Sequence, residues 1–338
     1  MTVVADQRTH APSHFQPGNF ALRDTWFPLV HSARVGRRPT RRAVHGAPVI
    51  FWRDGQRIRA TEDAPGTPPQ HRRNGELTHG TGEYITAQRY GYTWVWYGDP
   101  RNASTDLIPN VPHLPLDGMP KRFQGNVLFD CTYELIVENL LDLTHADFLH
   151  SKLTGDSLSE DDVVEVESTS EVVCMVRTAR GRPIPDVQKP LVKGATTQNI
   201  RVVTVTHVRS GICLLHGDFN PGMSIRMLHP CNPESATRTR TPVSYNPMFL
   251  PAYARALFPL SSHIVGRQDN WAVRKQNANY AETSDRRDLS SRFDKADLRY
   301  RKVYSALVAR QQAGDYSYLA DGDPGRDVSD ILGINRRA

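Results

Sequence analysis

The residues best suited to chemistry lie together in the short segment 138–150, which reads ENLLDLTHADFLH. In this segment Asn139, Asp142, His145 and His150 follow the spacing N-x2-D-x2-H-x4-H. Two neutral imidazoles and one carboxylate form a facial triad, a ligand set that holds ferrous iron and leaves coordination positions open for dioxygen and substrate. The segment therefore indicates a mononuclear iron enzyme.

The spacing of the two histidines restricts the local backbone. On a regular helix Asp142 and His145 share one face, whereas His145 and His150, five residues apart, diverge. We therefore expect a distortion of the helix, or its end, near His150. The third metal ligand must come from another segment, and Asp269, in GRQDNWAVRKQ (266–276), is the candidate. Because this window is polar, the residues alone leave an ordinary surface aspartate as an equal alternative.

Hydrophobic patterning predicts the elements that must position these residues. The first part of the chain favours β-strands, with a hairpin turn at Asp54-Gly55, and a Pro-rich connector follows at 101–125. Residues 128–138 begin as a strand and continue into the helix that carries the metal motif. The remaining predicted elements are β-segments at 43–53, 56–60 and 85–97, strands of one antiparallel sheet at 163–178, 199–208, 211–219 and 223–230, and helices at 252–258, 262–279 and 292–312.

Composition excludes several classes of protein. A net charge of +6 over 338 residues is mild, and without a basic stripe or a nucleic-acid motif we expect no nucleic-acid partner. The polar first 18 residues lack the apolar core of a signal peptide, and no stretch of about 18 apolar residues is present. Four widely spaced cysteines are typical of reduced thiols. The sequence thus predicts a cytoplasmic protein without a membrane partner.

A resemblance extends this interpretation. Residues 131–150 (CTYELIVENLLDLTHADFLH) closely resemble the iron-binding segment of Rieske-type non-heme iron oxygenases, in the branch of vanillate O-demethylase and dicamba demethylase. Residues 85–100 (ITAQRYGYTWVWYGDP) resemble the end of that family's N-terminal domain, and 292–310 resemble its closing helix. The similarity runs in order through residues 20–312.

The resemblance implies a role for each residue of the motif. His145, His150 and Asp269 are the implied iron ligands, and the implied cofactor is one mononuclear Fe(2+). Asp142 resembles the bridging aspartate that orients a histidine and lies on the electron path, as carboxylates behind metal ligands fix their tautomer. Asn139 matches a polar residue close to the metal.

The chain departs from the family at the iron–sulfur cluster. A Rieske centre requires two Cys and two His, which the family supplies from loops that here would fall within residues 64–84. Those 21 residues contain His71 and His79 but no Cys. We therefore expect no [2Fe-2S] cluster in this chain. A separate cluster-bearing reductase, ferredoxin or sister subunit would deliver electrons near Asp142. The basic stretches 36–42 and 71–73 could dock an acidic carrier, although solvated loops are the more natural interpretation.

A second group of metal-binding residue types has a different explanation. Cys213 and His216, followed by His229 and Cys231, could form a zinc site. Cys213 and His216 fall in an alternating strand, however, so they should point to opposite faces of the sheet. We therefore expect buried thiols and no metal there.

The resemblance also implies the fold and the domain organisation. The fold class is α+β, with a reduced Rieske-like N-terminal β domain and a C-terminal helix-grip (START-like) domain of antiparallel sheet and helices. The boundaries are a flexible tail at 1–18, the β domain without cluster loops at 19–110, the catalytic iron domain at 111–312 and a polar tail at 313–338. Residues 245–258 resemble a lid over the substrate cavity. The candidate lining residues of that cavity are Leu135, Leu149, Phe219, Met223, Met227, Phe249, His263 and Trp271.

The sequence thus predicts an oxidoreductase of the oxygenase class that uses O2 to hydroxylate, or to O- or N-demethylate, a small aromatic or cyclic compound. Two alternatives stay open: an iron enzyme of this fold with non-oxygenase or self-sufficient chemistry, and a non-catalytic subunit of a Rieske oxygenase complex. Homo- and hetero-oligomers both fit the family.

Overall fold

The computed structural model describes residues 22–62, 83–112, 123–154, 158–282, 288, 291 and 293–317. The predicted tail at 1–18, the basic stretch 71–73, and most of the loop 64–84 and of the C-terminal tail lie outside these residues. The strands are β1 (Thr25–His31), β2 (Thr40–Val44), β3 (Ala47–Asp54), β4 (Arg57–Glu62), β5 (Thr86–Arg89), β6 (Tyr92–Tyr97), β7 (Phe123–Gln124), β8 (Val127–Phe129), β9 (Val163–Ser168), β10 (Val172–Pro183), β11 (Thr197–His207), β12 (Ile212–Asn220), β13 (Ser224–Pro230), β14 (Asn232–Ser235), β15 (Arg238–Thr241) and β16 (Ser244–Met248). The α-helices are α1 (Tyr133–Leu141), α2 (His145–Leu149), α3 (Ser151–Thr154), α4 (Ala252–Glu282) and α5 (Lys295–Gln312).

A seven-stranded antiparallel sheet dominates the fold, in the order β7-β16-β13-β12-β11-β10-β9. Successive side chains of its central strands point to opposite faces, and both of these faces are covered. Cys213 of β12 belongs to the core shared with the helices, whereas its neighbours Ile212 and Leu214 belong to the core shared with the N-terminal strands. The predicted α+β class and the predicted antiparallel sheet are confirmed.

The N-terminal strands form two three-stranded sheets, β1-β6-β5 and β2-β3-β4. The predicted turn at Asp54-Gly55 is confirmed, since it joins β3 to β4. The segments 43–53 and 85–97, each predicted as one continuous β-segment, are broken by the β2–β3 and β5–β6 turns. Gly46 and Gly91 adopt φ of 80° and 76° there, a region that favours glycine and is typical of hairpin turns.

Helix α4 corrects two further predictions. The two helices predicted at 252–258 and 262–279 are one 31-residue helix that continues through Pro259, although an interior proline removes a backbone donor and normally kinks or ends a helix. The predicted lid at 245–258 consists of most of strand β16, which pairs with β13 and with the short edge strand β7, followed by the first residues of α4.

The inner face of α4 carries Gly266, Asp269 and Val273, all buried and spaced as one helical stripe. A Cβ on Gly266 would lie 3.2 Å from Val127 of β8, so glycine allows the helix to approach that strand closely. Asn270 accepts a hydrogen bond from the Asp130 amide at 2.7 Å and fixes the helix against the β8–α1 loop. These contacts fix the position of α4, and therefore of Asp269, relative to the residues that follow α1.

Candidate metal centre

The metal motif lies on a broken helix. Helix α1 ends at Leu141, α2 begins at His145, and His150 terminates α2 with a non-helical backbone. The expected helix end near His150 is confirmed, but Asp142 and His145 do not share a helix, as a regular helix would require. The break arises at Asp142, whose carboxylate accepts hydrogen bonds from the Thr144 amide at 2.9 Å and the Thr144 hydroxyl at 2.6 Å. Such an aspartate turn starts a new helix in a new direction.

The structure brings the three predicted ligands together. His150 Nε2 lies 2.9 Å from Asp269 Oδ1, and His145 Nε2 lies 3.5 Å from the same oxygen. Within the described part of the chain, these residues are the one group of three or more His, Cys, Asp or Glu whose ligand atoms all lie within 4.8 Å of one another. Donor atoms at right angles around an ion with bonds of about 2.1 Å would be about 3 Å apart, so the group is compact enough to hold one.

The far nitrogens of both rings test whether a metal fits. His150 Nδ1 lies 2.9 Å from Gln268 Oε1, and His145 Nδ1 contacts the backbone carbonyl oxygen of Asp142. Each oxygen is an acceptor, so each ring donates from Nδ1 and presents the lone pair of Nε2. Two lone pairs then converge on a carboxylate oxygen, an arrangement that needs a cation among them. The donor set therefore fits a divalent transition metal with exposed coordination positions.

Electrostatics keep the carboxylate charged. Burial would raise the pKa of Asp269, but when the imidazoles carry a proton on Nε2 in place of a metal, their hydrogen bonds and charge outweigh burial and lower that pKa to about 2. Burial would lower the pKa of His145, and the contact with Asp269 raises it overall. Asp269 is thus an anion at neutral pH, ready to bind a cation.

Asp142 and Asn139 line the approach to the centre. The imidazole of His145 is oriented by the carbonyl oxygen of Asp142, while the carboxylate of Asp142 holds Thr144. Asn139 Oδ1 is a buried atom without a hydrogen-bond partner among the described residues. The roles predicted for both side chains stay predictions.

A cavity of about 550 Å³ lies beside His145, between α1, α4 and α5. Its acidic walls distinguish it from the apolar cavity expected between sheet and helices. Of the eight predicted lining residues, Leu135 is fully buried core, whereas Phe249 and Trp271 are 63% and 54% exposed. The cavity is lined by Glu138, Asn139, Asp142, His145, Ala272, Val273, Gln276, Tyr280, Asp288, Asp294, Asp297, Leu298 and Arg301.

The cysteines behave as buried thiols. Cys213 Sγ contacts the Thr206 hydroxyl at 3.2 Å, while His216 Nε2 contacts the Ser224 hydroxyl at 3.0 Å on the other face of β12. Burial lowers the pKa of His229 to about 4. The Cys213, His216, His229 and Cys231 side chains do not converge into a metal-binding group in the described part of the chain.

Sequence reasoning missed a buried ionic cluster behind the two histidines. Arg177 of β10 contacts the Asp147 and Asp162 carboxylates, and Arg182 also contacts Asp162. Charged side chains are rarely buried without partners. One available signal was Arg177 at an inward position of β10, two residues after Met175.

Comparison with known proteins agrees with this geometry. A family model described as the vanillate O-demethylase oxygenase C-terminal domain matches residues 129–310. The oxygenase component of chloroacetanilide N-alkylformylase from Rhizorhabdus wittichii is 26% identical over 182 residues, which are 46% of this chain and 47% of that protein. The vanillate O-demethylase oxygenase subunit of Pseudomonas sp. (strain HR199) is 32% identical over 96 residues, 28% of this chain and 26% of that subunit. The chain thus spans about half, or less, of the curated relatives it matches.

Solved structures extend the likeness to the fold as a whole. Dicamba monooxygenase bound to 3,6-dichlorosalicylic acid superposes with a TM-score of 0.73 at 17% identity, covering 86% of this chain and 99% of that one. At this identity the superposition establishes the fold. None of the helices in the described residues is long and apolar enough to cross a membrane.

Proposed function

Because the chain belongs to the family of the vanillate O-demethylase oxygenase C-terminal domain, a family of Rieske-type oxygenase subunits, we propose that it is a mononuclear non-heme iron oxygenase. It hydroxylates, or O- or N-demethylates, a small organic compound with O2. The observation that carries this proposal is the convergence of His145 Nε2, His150 Nε2 and Asp269 Oδ1 with both Nδ1 atoms already engaged.

The protein's own part in this chemistry is to hold and orient. His145, His150 and Asp269 would bind ferrous iron on one side and leave its other positions open. Gln268 and the Asp142 carbonyl fix the tautomer of each ring, which increases the basicity of Nε2. When bound, the iron supplies the chemistry that activates dioxygen toward the substrate.

The substrate class is proposed from the relatives. Their names refer to the O-demethylation of vanillate and to the N-alkyl group of chloroacetanilides, and dicamba monooxygenase was solved with a chlorinated salicylate. An aromatic or cyclic compound with an O- or N-alkyl substituent is accordingly our proposed substrate class.

Electrons would come from a separate protein. Residues 64–84 contain no Cys, and a Rieske cluster needs two. We place the docking site of a cluster-bearing reductase, ferredoxin or sister subunit on the side of Asp142, where the cavity beside His145 lies. The Asp142 carboxylate stands between that cavity and the His145 backbone.

The test begins with anaerobic reconstitution by ferrous iron, followed by metal and acid-labile sulfide analysis. We expect one iron per chain and no sulfide. O2 uptake is then measured with aromatic methyl ethers and N-alkyl anilides, with and without a Rieske-type reductase, and we expect uptake only with the reductase. Protein that stays metal-free contradicts the proposal. Uptake without any reductase would show self-sufficient chemistry, and bound iron with no uptake under any condition would show a non-catalytic subunit.

A further inference from the structure

The segment that carries both histidines is too short to form stable helices by itself. Helix α2 has five residues and α3 has four, and helices this short are unstable in isolation because nucleation is costly. The mutual position of His145 and His150 must therefore be set by contacts with the rest of the fold. Asp269 and Gln268 reach them from the α4 side.

From strand β10 of the sheet, Arg177 holds the same segment at two points. Its Nη1 donates to the Leu143 carbonyl oxygen at 3.1 Å, and its Nη2 donates to the Asp147 carboxylate. Leu143 precedes His145 by two residues and Asp147 follows it by two, so the two contacts flank His145. Asp147 is also three residues before His150.

Arg177 is itself fixed. Its Nε donates to Asp162 Oδ2 at 3.0 Å, and Arg182 contacts the other oxygen of Asp162. The side chains of Arg177, Asp147 and Asp162 are exposed by 3%, 3% and 0%. Burial opposes the charge of Arg177, but Asp147 and Asp162 outweigh it and raise its pKa. The guanidinium is thus permanently charged, with donors directed in a rigid fork that a lysine cannot reproduce.

The face of the strand explains the direction of this side chain. Val173 and Met175 of β10 belong to the core between the sheet and the helices. Arg177 continues this alternation into the same layer. That layer also contains the metal segment, residues 142–154, which carries His145 and His150. An arginine at this position binds a backbone carbonyl oxygen and a carboxylate, which a side chain needed only for packing would not do.

We propose that Arg177 is a positioning residue of the metal centre, which fixes the His145–His150 pair from the sheet through Leu143 and Asp147. This inference rests on the proposed function, because it assumes that the pair binds iron. In metal-free protein, Arg177, Asp147 and Asp162 would hold the two imidazoles in the geometry that binds the metal.

The test compares two buried arginines. Arg209 is the matched control, since it is 3% exposed, pairs with Glu171 and donates to the Asp24 carbonyl oxygen, away from residues 142–154. Ferrous iron and cobalt(II) are titrated into metal-free wild type, Arg177→Met and Arg209→Met under anaerobic conditions. We expect Arg177→Met to bind about 10-fold more weakly or worse, with an altered cobalt(II) absorption spectrum. We expect Arg209→Met to bind as wild type does, although both variants unfold more easily.

Hydrogen exchange separates this inference from the proposed function. In metal-free protein, amides of residues 143–150 should exchange faster in Arg177→Met than in wild type or Arg209→Met. If wild type binds no iron but this difference appears, the proposed function fails and the positioning role survives in the metal-free fold. If exchange and cobalt(II) spectrum match wild type, the positioning role is overturned.

Milder variants cover the case in which Arg177→Met does not fold. Arg177→Lys keeps the charge but cannot reach all three partners, and Asp147→Asn keeps one acceptor. We expect both to show faster exchange at residues 143–150 and weaker cobalt(II) binding, with the smaller loss in Asp147→Asn. Wild-type exchange and affinity in both would overturn the inference.

Discussion

The N-terminal strands and the metal segment use buried residues in opposite ways. The first region is closed by an almost purely apolar cluster that includes Phe27, Val44 and Phe51, all 0% exposed. Around the metal segment, the buried set includes charged residues, among them Glu138, Asp147, Arg177 and Asp269.

The two kinds of buried residue contribute differently to the free energy of unfolding and to the geometry of the metal-binding residues. Apolar burial contributes to folding in proportion to area and is indifferent to direction. Buried charges contribute little net stability but hold groups in one geometry, since breaking a pair strands the remaining charge. We therefore expect substitutions in the first region to change the free energy of unfolding alone, and those around the metal segment to change metal binding as well.

The largest expected effect is in the apolar cluster. Phe51→Ala should lower the free energy of unfolding by about 3–5 kcal/mol, because it removes a fully buried ring and leaves a cavity. Urea unfolding measures this loss. In the fraction that remains folded, cobalt(II) affinity should equal that of wild type, and a parallel loss of affinity would break the distinction between the regions.

A substitution at Asp269 should lower metal affinity, the quantity that Phe51→Ala leaves unchanged. Asp269→Asn keeps the shape but removes the ligand charge, so iron affinity should fall by more than about 100-fold. Wild type at an iron concentration 100 times its Kd should gain about 2.7 kcal/mol of stability, and the variant should gain none.

Asp24→Asn is the control for Asp269→Asn. Asp24 is a buried aspartate of the N-terminal region that accepts hydrogen bonds from the Asp99 amide and the Asn102 side chain, both at 3.0 Å. It should lose stability and keep iron. Equal iron loss in both variants would contradict the assignment of Asp269.

A substitution at Asp142 should lower turnover without lowering iron affinity. Asp142→Asn keeps the acceptor that starts α2, since Asn and Asp serve this position about equally, so iron should stay bound. Multi-turnover O2 uptake with a reductase should fall by about 10- to 100-fold. Full activity in this variant would refute the electron-path role of the carboxylate.

The extent to which these regions could be predicted from the sequence also differs. The segments 163–178, 199–208, 211–219 and 223–230 are rich in apolar and β-branched residues, and they predicted the antiparallel sheet of β9 to β13 correctly. The breaks at Gly46 and Gly91 lay inside continuous β-patterns, where a glycine alone does not distinguish a turn from a bulge.

At the candidate site, spacing and resemblance named the three residues that the structure brings together, and their binding of iron stays a prediction. The Arg177 cluster could not be predicted, because its partners lie 15 to 34 residues away along the chain. Such pairings are fixed only when β10 packs against α2. The continuous helix α4 was missed because Pro259 is normally a helix boundary.

The smallest expected effect returns to the N-terminal region. His45 packs against Phe27, Tyr97 and Tyr133, and burial, with a contribution from Arg23, lowers its pKa to about 4. The pKa of an unfolded histidine is about 6.5, so the unfolded state binds more protons between these values. Stability from this residue is therefore complete above pH 6.5 and is lost as the pH falls, by about 2 kcal/mol at pH 5.

The variant His45→Asn isolates this effect, since asparagine tolerates the φ of 47° at this position. It should be less stable than wild type at pH 7.5 but should lose about 2 kcal/mol less than wild type between pH 7.5 and pH 5, by urea unfolding at each pH. An unchanged difference between the two pH values would show that the aromatic packing around His45 opens to water, and the N-terminal region would then not be the closed apolar unit that the comparison requires.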